Sequence, residues 1–196
     1  MNADEIVREI TQRAWRFGVA VLLSPDTNVD CDGNKVQGFF TEEEPFPRMV
    51  VGTGAEEQLW LGCLLHEYCH LTQWVEQTPL WLADGKSDNI DEWLAGKAIR
   101  CPRKAISLRR EMEADCERRT VRLIQELQAP INLPHYIRAA NSYIHFHNVM
   151  ADKRKWYRAD RTPYKTPEVT MLANPTLDAD FSKTPPALRA ALLTCI

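Results

Sequence analysis

No run of 18 apolar residues occurs in this chain, so no stretch of it reads as a membrane-spanning helix. There is no internal repeat and no low-complexity tract, which excludes solenoid and array architectures. The six cysteines, at 31, 63, 69, 101, 116 and 195, form no C-x-x-C pair. Their spacing in a chain of this length does not read as a disulfide framework, and free thiols in a reducing cytoplasm are expected. Excess positive charge is also lacking. The net charge of −3 argues against bulk electrostatic capture of nucleic acid. The first residues, Met-Asn-Ala-Asp-Glu, are acidic where an export signal is basic and then apolar, so no signal peptide is expected.

What is present is an ordinary globular balance, 44% hydrophobic and 26% charged over 196 residues, enough for one domain with a real core. Asn2 and Glu5 have capping-box spacing, and Ile6, Ile10, Ala14 and Phe17 fall on one face of a helix from Asn2 to Phe17. A change of period follows. Val19 to Leu23, Val29 to Cys31, Val36 to Phe40 and Arg48 to Val51 read as short strands, with Asp32-Gly33-Asn34 as a hairpin turn. They predict a small, mostly antiparallel sheet, in which Val50-Val51 is a candidate edge for an extended peptide. Thr53 to Glu56 is a second capping box, and it opens a helix running to about Gln77. That helix is apolar on nearly all sides, so it is expected to be central, with Leu59, Leu64 and Trp74 in the core. Asp84 to Ser87 reads as a loop. Further helices are expected from Asn89 to Ile99, from Pro102 to Gln128 and from Pro134 to Met150. Residues 1–151 form the expected α+β domain. Residues 152–196 carry five of the twelve prolines and read as an extension packed on it or partly disordered.

The chemistry lies inside the central helix, at His66-Glu67-Tyr68-Cys69-His70. Histidines at i and i+4 share a face, so both rings can reach one ion. Zinc there lowers the pKa of a water to about 7, and Glu67 is positioned to take its proton. Three charged or polar groups in an apolar helix are costly to bury without such a use. The pattern is the H-E-x-x-H of zinc metallopeptidases.

A third protein ligand is then needed, with one position left open. A histidine six residues after His70 would complete one known pattern. Position 76 is Glu instead, position 73 is Gln, and Glu76 lies about 9 Å along the axis from His70. The segment Glu111-Met112-Glu113-Ala114-Asp115 is the better candidate. Glu111 and Asp115 share a face, so Glu111 can ligate while Asp115 accepts a hydrogen bond from a ligand histidine. Glu113 lies about 200° round from Glu111, so only one of the two glutamates can face the metal.

H-E-x-x-H followed on a later helix by E-x-x-x-D resembles the gluzincin metallopeptidases, and E-x-E-A-D at Glu111 to Asp115 is nearest to the ImmA/IrrE group. The resemblance spans about residues 50 to 128. It implies a zincin-like fold, with a small sheet packed on the H-E-x-x-H helix. It also implies a Zn2+ cofactor on His66, His70 and Glu111, with Glu67 as the general base. The implied activity is hydrolysis of a peptide bond in a specific protein substrate. Tyr143 and His147 share a face of the Pro134 helix and are candidates to hold a developing oxyanion. The basic run Lys153 to Arg158, with Trp156 and Tyr157, reads as a solvated stretch before it reads as a nucleic-acid contact. The rival reading is a non-catalytic protein, stapled by zinc, that binds a protein or nucleic-acid partner. It predicts a fourth protein ligand, a Cys or His, closing the site.

Overall fold

The computed structural model describes residues 1–31, 33–43, 45–85 and 89–196. Asp32 of the expected turn and Lys86 and Ser87 of the expected loop lie outside the described residues. The architecture is α+β, with a small mixed sheet and several helices. The chain folds as two compact units, one of residues 1–78 and 116–132, the other of residues 79–115 and 133–196.

The first unit opens on α1 (Ala3–Trp15). Its start is fixed by the expected box: the Asn2 side chain accepts from the Glu5 amide at 3.0 Å, and the Glu5 carboxylate accepts from the Asn2 amide at 2.8 Å. Ile6, Ile10 and Ala14, one turn apart, are buried where α1 packs on α2 and β1. The strands are β1 (Ala20–Ser24), β2 (Val29–Cys31), β3 (Asn34–Val36), β4 (Gly38–Thr41) and β5 (Arg48–Gly52). β2 and β3 make a hairpin, but Asn34 of the expected turn pairs with Cys31, and the expected strand Val36 to Phe40 divides between β3 and β4 of two different sheets; Gly33 takes a left-handed φ of +83°.

The larger sheet has the order β1-β5-β4, with β1 parallel and β4 antiparallel to β5. Two expectations change here. The sheet is mixed because β1 returns to β5 only after the hairpin and β4 have intervened. Val50 and Val51 sit in the central strand, so both their backbone edges are occupied. The edges of this sheet are β1 and β4.

α2 (Glu57–Val75) packs on β4 and β5. Its start differs from expectation: the Thr53 hydroxyl donates to the Ser24 carbonyl at 2.8 Å, and Glu56 is the N-cap without a side-chain bond. Leu59, in the first turn, is exposed, whereas Leu61, Leu64, Leu65 and Leu71 are inaccessible to solvent. The helix ends sharply. Gln77 adopts a left-handed φ of +50°, its amide donates to the Trp74 carbonyl, and the Thr78 amide reaches back to the Gln73 carbonyl at 3.1 Å. Pro79 then prevents continuation. β4 runs so close to α2 that a Cβ on Gly38 would stand 2.7 Å from Cys63 Sγ and 2.9 Å from the Val50 carbonyl oxygen.

The second unit contains α3 (Pro79–Asp84), which the sequence reading missed, and α4 (Ile90–Leu94), whose N-cap Asn89 accepts from the Asp91 and Glu92 amides. α5 (Pro102–Glu126) lends its first half to this unit and its second half to the other. α6 (Leu133–Lys153), α7 (Pro167–Thr170) and α8 (Pro186–Leu192) complete it, with a final short turn of 3-10 helix. Phe146, Val149 and Met150 of α6 share one core with Val169, Ala173, Leu188, Leu192 and Cys195. Buried Asn141 ties the tail down further. Its amide donates to the Asn174 and Thr176 carbonyls, and its oxygen accepts from the Asp178 amide. Trp156 and Tyr157 lie against the Phe146 ring, so the aromatics of the basic run serve packing.

Two outcomes follow from this packing. Gly38→Ala should lower stability by about 1–3 kcal/mol, since the Val50 carbonyl cannot rotate away, and a denaturant midpoint measures it. Asn141→Leu should cost about 1–3 kcal/mol and raise the proteolytic susceptibility of residues 174–184, because it orphans acceptors that the tail presents inward.

Candidate metal centre

α2 is a poor place for polar side chains, yet Glu67, His70 and Gln73 are all buried there, and Gln73 is inaccessible to solvent. His66 keeps a side-chain exposure of 17%. The helical repeat puts the two histidine rings one above the other, edge to face, with centroids 4.6 Å apart. Their Nε2 atoms stand 3.0 Å apart.

The outer nitrogens are both engaged. Glu117 Oε1 is 3.1 Å from His66 Nδ1, and Gln73 Oε1 is 2.9 Å from His70 Nδ1. A carboxylate has no proton to give, so His66 Nδ1 is the donor; the amide oxygen likewise makes His70 Nδ1 a donor. In neutral rings both Nε2 atoms then carry lone pairs, and these face each other. Two nitrogens bound at about 2.0–2.1 Å to one tetrahedral ion stand roughly 3.3 Å apart, close to the spacing here. The donor chemistry and the geometry therefore fit a metal ion between the rings.

α5 brings a further donor. Cys116 Sγ is 3.6 Å from His66 Nδ1 and donates to the His66 carbonyl at 3.3 Å. Ligand atoms of His66, His70 and Cys116 lie within 4.8 Å of one another, and this group could hold a metal ion. The Cys116 backbone is steadied by the Thr120 hydroxyl, and Arg119 spans from α5 to Thr72 and Glu76 of α2. All six cysteines are free thiols. Burial, then the nearby Cys116, pushes the Cys69 thiol well above its ordinary value.

The expected residues thus divide. His66, Glu67 and His70 lie together on α2, as the spacing requires. Glu111 and Asp115 belong to the other unit. There Glu111 is half-exposed and paired with Arg110 at 2.9 Å, and Arg110 also donates to Asn148. Glu117, two residues past the segment from Glu111 to Asp115, holds His66. Cys116 and Gln73 were also passed over, although Gln73 at i+3 from His70 is within reach on the same helix face.

The second unit has its own buried polar group. Arg109 makes a forked pair with Asp84 at 2.9–3.1 Å. Glu113 is buried, and its charge acts on both Tyr143 and His147. Burial pushes the Tyr143 phenol well up and the His147 imidazole down. The Tyr143 ring stands edge-on to both His147 and Tyr164.

Comparison with family models, with curated proteins and with solved structures gives no match.

Burial disfavours the His66 imidazolium, but the Cys116 sulfur and the Glu117 carboxylate favour it more, so its pKa stands well above the ordinary value. Without metal, this raised pKa adds stability that is complete below the unfolded-state value of about 6.5. That stability is lost as pH rises through the higher native value. A metal needs the unprotonated ring, so its contribution runs the other way. Thermal unfolding of the chelated protein should therefore fall as pH rises from about 6, and the zinc-supplemented protein should gain over the same range. Parallel curves would refute the assignment of His66 to both roles.

Proposed function

We propose that this chain is a zinc-dependent peptidase of the zincin type, with Glu67 as the general base. The observation that carries the reading is the pair of facing Nε2 atoms on a buried helix, with a glutamate beside the first histidine. A structural metal has no use for that glutamate, whereas hydrolysis does. Bound zinc would polarise a carbonyl and acidify water. Glu67 takes the proton of the attacking water and delivers it to the departing amine. The open edge of β4, packed on this same helix, suits pairing with an extended protein or peptide substrate. Six free thiols accord with a reducing compartment such as the cytoplasm. Among the described residues no helix is long and apolar enough to cross a membrane.

The third ligand is assigned to α5. Glu111 is the choice by the spacing of the gluzincin signature, and Cys116 is the choice by proximity to the histidines. Helix phase supplies a further criterion. Glu113 precedes Glu117 by one turn on the same face, whereas Glu111 lies about 120° and Asp115 about 160° away from Glu117.

One observation favours the rival reading of a zinc staple in a binding protein. Cys116 gives the site a thiol, the donor that structural zinc prefers. Chelation separates the two, because a staple unfolds when its ion is removed while an open catalytic site keeps its fold.

The purified protein should contain about one zinc per chain, removable by chelator with the helical signal largely kept. Glu67→Gln should retain the metal and lower cleavage of a casein or peptide-library substrate by about 10²–10⁴-fold. His66→Ala and His70→Ala should lose both metal and cleavage. The third ligand is whichever of Glu111→Gln, Glu113→Gln and Cys116→Ser releases the metal. Full cleavage by Glu67→Gln would overturn the peptidase reading.

A further inference from the structure

We infer that Glu117 and Gln73 are the positioning residues of the metal centre, and that the difference in their charge makes His66 the anchoring ligand and His70 the exchangeable one. The inference rests on the proposal that His66 and His70 hold a metal. It goes further by assigning the supports of each ring and an order of ligand strength.

Each ring is held at its outer nitrogen by an oxygen acceptor, and at His66 Cys116 Sγ lies at 3.6 Å from the same Nδ1. Glu117 reaches His66 at 3.1 Å and Gln73 reaches His70 at 2.9 Å. Both acceptors are buried, Glu117 to 5% and Gln73 to 0% exposure. Little water competes with these hydrogen bonds, which makes them electrostatically strong. Both choose the same tautomer, so both Nε2 lone pairs converge on the 3.0 Å gap. A proton or a metal ion fits that gap.

The two acceptors differ in one respect. Glu117 carries a full negative charge that flows through the Nδ1–H bond and raises the donor strength of His66 Nε2. Gln73 offers only an amide dipole. His70 is oriented as tightly but is the weaker base. The structural setting reinforces this. Gln73 sits in the last turn of α2, where its own carbonyl closes the helix-ending bond from Thr78. Its side chain is therefore held by the same helix that carries His70 and moves with it. Glu117 comes from α5, so His66 is gripped from outside its own helix.

The test uses zinc itself, with a chromophoric chelator as competitor, on the full chain. Glu117→Gln should weaken zinc binding about 10–100-fold. Gln73→Glu, which gives His70 the same charged support, should tighten binding and slow zinc exchange by about tenfold. If Gln73 only fills space, Gln73→Glu buries a charge and loosens zinc instead, which overturns the inference. Equal binding by wild type and both variants overturns it as well. A readout that needs no variant guards against misfolding: long-range ¹H–¹⁵N spectra of the zinc-loaded wild type should show both histidines protonated at Nδ1 and metallated at Nε2. Metal on either Nδ1 refutes the positioning roles and leaves the metal site standing. If the wild type takes up no zinc, the underlying metal reading fails together with this one.

Discussion

Everything at this site depends on two histidine Nε2 atoms held 3.0 Å apart inside an apolar helix. A buried helix offers few ways to stabilise a polar side chain, and α2 holds two histidines, a glutamate and a glutamine in its apolar stretch. Glu117 and Gln73 engage the outer nitrogens, which turns the inner ones toward each other across 3.0 Å, a spacing that a shared proton or a metal ion fits. The first unit builds toward that constraint. α1 and the sheet cover α2 from the apolar side, the close passage of β4 at Gly38 fixes its depth, and the left-handed turn at Gln77 ends it one turn after Gln73. The local elements are ordinary; the interior they surround is not.

The legible part of the fold was the part governed by local rules. The Asn2 box closes because nothing else competes for that side chain. The Thr53 box does not close, because the Ser24 carbonyl lies within 2.8 Å of the Thr53 hydroxyl and takes its hydrogen bond. A tertiary contact outbid a local one, and no periodicity in the sequence records where strand β1 will pass. The same holds for the sheet. Alternation identifies strands, but whether β1 lies parallel to β5 is decided by long-range pairing. Pro79 ends α2 and also suits the first turn of α3, a second role that no periodicity in so short a segment announces.

The site was legible to the same depth. His66, Glu67 and His70 follow from spacing on one helix. Their supports do not, because the E-x-x-x-D pattern draws attention to Glu111 and Asp115, while the helix phase that meets His66 belongs to Cys116 and Glu117. Three glutamates and an aspartate fall within seven residues there, Glu111 with Asp115 on one face and Glu113 with Glu117 on the opposite one, so spacing alone does not choose between the faces. Gln73 stands outside the ligand pattern, yet its side chain holds His70. A glutamine three residues after a suspected ligand histidine, in an otherwise apolar helix, is a signal worth reading for its side chain.

The thiol at Cys116 is what sets this site apart from a plain histidine–carboxylate centre. Sulfur beside His66 and the carboxylate of Glu117 together raise the proton affinity of that ring against the opposing effect of burial. A proton is therefore a serious competitor for the gap between the histidines, and metal must displace it to bind. The same features that make His66 a strong ligand make it a strong base. Any metal ion that this group holds thus competes with protons for the gap, and its occupancy depends on the pH around it.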